Sequence, residues 1–236
     1  MNELLAQFEL EGRPVQLMNP SQIAVKYPQV KQHQLFGGLY SSDEMIVDPR
    51  IAVANVSEYL NIFAGVQFLW NQTVKEVGVG YVKSGHLLLN ADKIFVCSGP
   101  DIETFFPAEF NALPIVKCKL QMMRMLMPMN QHIDTSVCGG LSLLHYNSFK
   151  QAPSLNILRE KITTEMPEDI KHGIHVMVSQ HETGELTVGD SHEYGFTFDP
   201  FDHQYINDLI LQYLNRFMHA DAWQIVATWN GIYPKM

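Results

Sequence analysis

The apolar positions of this chain recur in two rhythms, one helical and one extended. Val53, Val56, Leu60 and Phe63 are spaced by three or four residues, which predicts one apolar helix face. Asp48 and Pro49 mark where that helix starts. The carboxylate can accept from the unbonded N–H groups of the first turn, and proline loses no hydrogen bond at the first helical position. Gly65 predicts its end as a left-handed cap. A second helix is predicted after Asp202, which would cap it, with Tyr205, Ile206, Leu209, Ile210, Tyr213, Leu214 and Phe217 along one stripe. Shorter helices are expected over 2–11, over 21–27 between Asn19-Pro20 and Pro28, and over 154–165.

The extended rhythm predicts strands. Residues 66–70 alternate, 73–79 and 86–89 read as a ribbon joined through Lys83-Ser84-Gly85, and 93–97 is a short, nearly continuous apolar run, as expected of a strand buried on both faces. The second half is richer in strands: 115–127, 137–146, 174–180, 185–190 and 223–229, with turns at Gly139-Gly140 and 182–184. The methionines 122, 123, 125, 127 and 129 in the first of these read as core packing.

At 236 residues, 46% hydrophobic and 17% charged, the chain can bury a substantial core and is not a disordered one. Its 25 acidic against 16 basic residues give a net charge of −9, which argues against nucleic acid as a partner, since phosphate binding needs a basic face. No apolar run reaches the roughly 18 residues that cross a bilayer, and the first residues show no leader pattern. Cys97, Cys118 and Cys138 are odd in number and widely spaced, so they are expected to be buried thiols in a reducing cytoplasm.

Few motifs carry chemistry. The paired glycines Gly37-Gly38, Gly78 with Gly80, and Gly139-Gly140 do not make a phosphate cradle and read as turns or bulges. His172, His175 and His181 are close in sequence but lack ligand spacing; His175 should share a strand face with Met177 and not with His172, so no metal site is assigned. Ser98 lacks the nucleophile-elbow pattern. Arg124 lies in a methionine- and leucine-rich strand, where a guanidinium needs either a structural carboxylate or an anionic substrate. His192 leaves a strand at a polar, glycine-containing point; by itself it reads as a surface or capping residue.

Lys119-Leu120-Gln121 with Arg124, and the run Gly189-Asp190-Ser191-His192-Glu193-Tyr194-Gly195, resemble the substrate domain of the D-amino-acid oxidase (DAO-type), glycine oxidase-like family of FAD-dependent oxidoreductases. Lys119 and Leu120 stand where the family has Arg-Gly, a departure similar to the branch found beside phosphonate-degradation genes. The likeness runs over nearly the whole chain. Gly37-Gly38-Leu39 through Arg50 is similar to the entry into the flavin domain, Gly65 through Val74 to the strand pair at the adenine end, and Ile94 through Gly99 to the strand ending beside FAD.

The resemblance implies an α/β plus α+β fold. Residues 46–105 would be the middle segment of a partial Rossmann-like FAD-binding domain. Residues 1–45 and 106–229 would be a substrate-binding domain with a large mixed, mostly antiparallel sheet flanked by helices, and 230–236 would begin a further flavin segment. The family's Gly-rich pyrophosphate loop would precede Met1 and its closing strand and helix would follow Met236, so the chain reads as a member truncated at both ends.

The implied cofactor is FAD, touched by Val74, Ser98 and Gly99. The implied catalytic residue is His192, held over the flavin near the substrate's acidic group, with Arg124, Gln121, His145 and Tyr194 as substrate-binding residues. The implied reaction moves hydride from an amine α-carbon to flavin N5 and leaves an imine that water hydrolyses. The substrate would be a small amino acid or an aminoalkylphosphonate. The other reading is a non-catalytic or split-enzyme fragment lacking its own pyrophosphate loop. That reading predicts an apolar trough around 94–97 and 66–70, covered by a second copy or a complementary half.

Overall fold

The computed structural model describes residues 1–128 and 131–236, so Met129 of the methionine run lies outside the described residues. In chain order its elements are α1 (Asn2–Leu10), β1 (Val15–Met18), α2 (Pro20–Lys26), β2 (Gly38–Ser41), α3 (Pro49–Phe63), β3 (Val74–Gly78), β4 (Tyr81–Ser84), β5 (Leu87–Asn90) and α4 (Pro107–Asn111). There follow β6 (Val116–Leu126), β7 (Val137–Cys138), α5 (Ser142–His145), α6 (Leu155–Glu165), α7 (Pro167–Lys171), β8 (Met177–Gln180), β9 (Glu185–Gly189), β10 (Glu193–Gly195), α8 (Gln204–Phe217) and β11 (Gln224–Lys235). The fold is mixed α/β, with antiparallel sheets and flanking helices. The elements cluster into two units. One holds Met1–Ile46, Lys119–Glu193 and Thr197–Gly231; the other holds Val47–Cys118, Tyr194–Phe196 and Ile232–Met236.

The first unit is built on an antiparallel sheet in which β7 pairs β8, β8 pairs β9 and β9 pairs β6, with β11 on the other side of β6. Strict alternation sorts its side chains. Met123, Met125, Val178, Leu186 and Val188 point to one face and are at most 2% exposed, while Met122, Arg124, Met177, Ser179 and Thr187 point to the other and stay partly open. The closed face shares its core with Ile206, Leu209, Ile210, Tyr213 and Leu214 of α8. Each large side chain so buried contributes about 1.5–3 kcal/mol, which makes this face the main source of stability. Gly139 belongs to this packing because a Cβ there would lie 2.6 Å from the Tyr213 ring, whose hydroxyl accepts from the Leu141 amide at 2.8 Å.

The second unit carries α3 and the antiparallel meander β3-β4-β5. Asp48 accepts from the Arg50 amide at 3.0 Å and also grips its guanidinium, and Gly65 takes φ +67 just beyond the helix. The caps therefore act as the sequence predicts, and Asn19 does the same for α2 in a reciprocal capping box with Gln22. No residue of α3 is buried, although its apolar stripe is well formed; Val53, Val56, Ile62 and Phe63 are all exposed.

Several expectations are corrected. Residues 66–70 and 93–97 form no strand: an extended stretch needs a neighbour's N–H and C=O groups, and no strand among the described residues pairs with either. Phe95 and Trp70 there are 84% and 66% exposed. The ribbon over 73–89 is a three-stranded meander, because Val79-Gly80 turns the chain once more than the spacing suggested. Only Val137 and Cys138 of 137–146 are strand, since the Gly139-Gly140 turn leads into α5. The residue at the start of α8 is His203, which gives no side-chain cap; Asp202 instead accepts from Asn230 at 2.8 Å and lies 3.8 Å from Lys119. Of the three thiols only Cys118 is buried.

Candidate active site

The open face of the first unit's sheet carries an ordered set of polar groups. Arg124, Thr187 and Ser179 form one cross-strand row, and Met122, Gly189 and Met177 form the next. Glycine at 189 leaves the room that Met122 fills, since a Cβ there would lie 2.4 Å from the Met122 sulfur. His175, two residues before Met177, continues the same face as alternation requires. It pairs main chain to main chain with Asp190, through His175 N–H to Asp190 O at 3.2 Å and Asp190 N–H to His175 O at 3.0 Å.

Three imidazoles meet at this end of the sheet. The His145 ring, at the end of α5, lies 3.9 Å from His175 and 4.4 Å from His192 between centroids, and His175 stacks on His192 at 5.0 Å. His175 and His192 are 3% and 5% exposed, while His145 is half-buried. The His175 Nε2 lies 3.1 Å from an Asp190 carboxylate oxygen, and His192 Nδ1 donates to the Gly173 carbonyl at 3.0 Å. A carbonyl can only accept, so the proton of neutral His192 sits on Nδ1 and its lone pair on Nε2. Gly173 permits this contact twice over: it takes φ +57, and a Cβ on it would lie 2.7 Å from the His192 Cβ. Tyr146 packs its ring edge on His145 and His175 and donates to the Met177 sulfur at 3.2 Å. Burial first, with the Asp190 carboxylate behind it, pushes the Tyr146 phenol up to about 12, so it stays protonated at neutral pH.

His192 also lines a cavity of about 330 Å³, walled by Lys119, Gln121, His172, His203 and Tyr205. Its polar groups are largely committed to holding the walls. Buried Lys119 donates to the Asp199 and Phe201 carbonyls, both at 2.7 Å. Gln121 donates to the His203 carbonyl at 3.0 Å and to Asn207 Oδ1 at 2.8 Å, and accepts from the His203 amide at 2.9 Å. Gln121 thus steadies the start of α8, where His203 offers no cap of its own. The main-chain N–H of Gln121 donates to the Ser191 hydroxyl beside His192 at 3.1 Å.

The structure therefore brings His192 and His145 together and sets Gln121 on the neighbouring cavity wall. Arg124 shares the open face but lies two rows from His175, roughly 13 Å along the strands at ~6.8 Å per pair of residues. There its guanidinium is 3.7 Å from Glu185 and 5.4 Å from the Trp229 ring centre. Tyr194 belongs to the second unit, where its hydroxyl accepts from Lys235 at 2.9 Å. Sequence reasoning treated His175 as a strand residue and left Asp190 as a neighbour. The mark that could have raised both was Gly173, a glycine two residues before a strand histidine.

The residues expected at the cofactor lie in the second unit. Val74 opens β3, Ser98 donates to the Asp101 carbonyl, and Gly99 takes φ +62 with open space where a side chain would project. The same unit has a groove of about 1020 Å³ lined by α3 residues with Phe68 and Trp70, whose rings stack at 5.2 Å.

Several solved structures share this fold. The chain superimposes on L-proline dehydrogenase from P. horikoshii with a TM-score of 0.73 at 16% identity, covering 97% of this chain and 55% of that one. Glycine oxidase from Bacillus cereus ATCC 14579 gives 0.68 at 11%, over 99% and 56%, and glycine oxidase from Geobacillus kaustophilus gives 0.66 at 16%, over 97% and 53%. The chain thus spans about half the length of these neighbours. No curated protein matches it. The family profile DAO, FAD dependent oxidoreductase, matches residues 1–236, and the chain belongs to that family.

Proposed function

We propose that this chain forms the substrate-binding part of an FAD-dependent oxidoreductase that oxidises a small amine carrying an acidic group. The observation that carries this reading is the His145–His175–His192 group on the open sheet face, beside Asp190. His192 would face the acidic group, donating from Nε2 when its ring carries a second proton beside the one given to Gly173, and Arg124 on the same face, two rows away, would draw the anion toward the site by its charge. Gln121 and Tyr146 act as positioning residues: one fixes the cavity wall, the other packs the imidazoles. A carboxylate or a phosphonate satisfies these donors, so the substrate class is a small amino acid or an aminoalkylphosphonate. An amine of the second kind would tie the protein to phosphonate breakdown. Three free cysteines favour a cytoplasmic setting.

FAD, when bound, supplies the acceptor for the hydride. The residues present fit part of that group. The Ser98–Gly99 turn, with its open positive-φ glycine, can approach it closely, and Val74 can offer backbone. A glycine-rich cradle at a helix start is not found among the described residues, because Gly37, Gly78, Gly80 and Gly139 all serve strands and turns. One specific observation supports the second reading, of a unit completed by another polypeptide: the apolar stripe of α3 is unburied in a chain spanning about half of its neighbours' length.

The test is binding, which needs no flavin. Calorimetric titration of the purified chain with 2-aminoethylphosphonate and with glycine should give saturable binding that His192→Ala weakens by about tenfold or more, the worth of one hydrogen bond to a charged group. Equal affinity in the variant would remove His192 from the site.

A further inference from the structure

We infer that His145, His175 and His192 form a binding site for a divalent transition-metal ion, Zn(II) or a metal of similar preference. One ring nitrogen from each of the three lies within 4.8 Å of the others. Three neutral imidazoles are the donor set of an open, four-coordinate zinc site, which needs nitrogens ~2.0–2.1 Å from the metal. Nitrogens sharing one such ion lie ~3.3 Å apart, so binding would draw the three rings together.

A second observation points the same way. Metal-bound histidines give their other ring N–H to a carboxylate or a backbone carbonyl, which fixes tautomer and ring orientation. Here His175 Nε2 meets the Asp190 carboxylate at 3.1 Å and His192 Nδ1 meets the Gly173 carbonyl at 3.0 Å. The Gly173 contact places the His192 lone pair on Nε2, and the Asp190 carboxylate faces the His175 ring at ion-pair distance. Gly173 and Asp190 are thus already where outer partners of a metal centre stand. The three histidines come from three separate places: the end of α5, the start of the β8 strand path and the segment after β9. No local sequence spacing could announce the site. His145 is half-buried, so the group is approachable from the open face, and a fourth coordination position there would accept an oxygen of an acidic ligand. The soft sulfur of Met177 near Tyr146 does not make the donor set thiolate-like, so nitrogen-preferring metals are expected.

The inference rests on geometry and not on the redox reading, and its test reads metal binding in the absence of flavin and amine. The apo chain is dialysed against Co(II) and against Zn(II). Expected are one tightly held ion per chain, visible Co(II) bands of a four-coordinate site, and displacement of Co(II) by Zn(II). His145→Gln should weaken binding by about tenfold or more, and Asp190→Asn by ~10–100-fold through the lost outer contact. His33→Gln, at an exposed histidine, should change nothing. Absence of a stoichiometric ion, or an ion held equally well by His145→Gln and Asp190→Asn, overturns the inference. If either variant fails to fold by circular dichroism, X-ray absorption of the Zn(II)-loaded wild-type chain decides: three imidazole nitrogens support the site and fewer overturn it.

Discussion

Gly173 and His192 act as a single unit at the scale of the residue. The glycine supplies a positive φ that other residues reach only with strain, the space against which the histidine Cβ packs, and the carbonyl that holds the ring. Gly173→Ala is therefore expected to cost about 1–3 kcal/mol of stability through backbone strain, read by urea unfolding, and to weaken ligand binding as well by displacing His192. A variant with normal stability and normal binding would show that this contact sets nothing. The alternation of His175 with Met177 was legible in the sequence because a strand has a period of two. Its approach to His145 and His192 was not, because that distance is set by how α5 and the chain after β9 cross the sheet.

The helices and strands show which local signals survive folding. The start of α8 is held by the amide of Gln121, a residue 82 positions earlier, in place of the Asp202 cap that the sequence suggests. Gln121→Ala should leave the His203 amide and carbonyl without these partners and lower stability by about 1–3 kcal/mol in urea, with the loss concentrated in amide exchange at the first turn of α8. Near the same turn Tyr205 donates to Glu168 at 2.7 Å, linking α8 to α7. This bond holds the Glu168 carboxyl below the usual 4.5 and lifts the Tyr205 phenol above 10. A depressed carboxylate contributes stability above its unfolded pKa and loses it as pH falls through the lower folded value. A raised phenol contributes below its unfolded pKa and loses it as pH rises through the higher folded value. Thermal midpoints of wild type and Tyr205→Phe should therefore differ near neutral pH and converge both in acid below 4.5 and in alkali above 10. A constant gap across the range would rule the bond out as the cause.

The whole molecule divides into a unit with a closed core and a unit whose main helix buries nothing. The family is FAD-dependent, and a glycine-rich cradle at a helix start is not found among the described residues. These 236 residues by themselves are expected to release FAD when mixed with it and desalted, read as the flavin absorbance of the protein peak. Stoichiometric retention would mean that the second unit, alone or paired with another copy, builds the remainder. Val53, Val56, Ile62, Phe63 and Trp70 leave that unit with an exposed apolar surface.

The sequence by itself determined the capped helices α2 and α3, the stripe of α8, the alternation of β6 and the family likeness that names the cofactor. These depend on period, on caps and on residues close in the chain, all of which are local. It misjudged 66–70 and 93–97, because a strand exists only where another backbone pairs with it. The tertiary structure alone decided that His145, His175, His192 and Asp190 form one group, and that Gln121 holds the start of α8. It also decided that the α3 stripe stays open. Contacts between residues tens of positions apart are set by how elements pack, which no local pattern records.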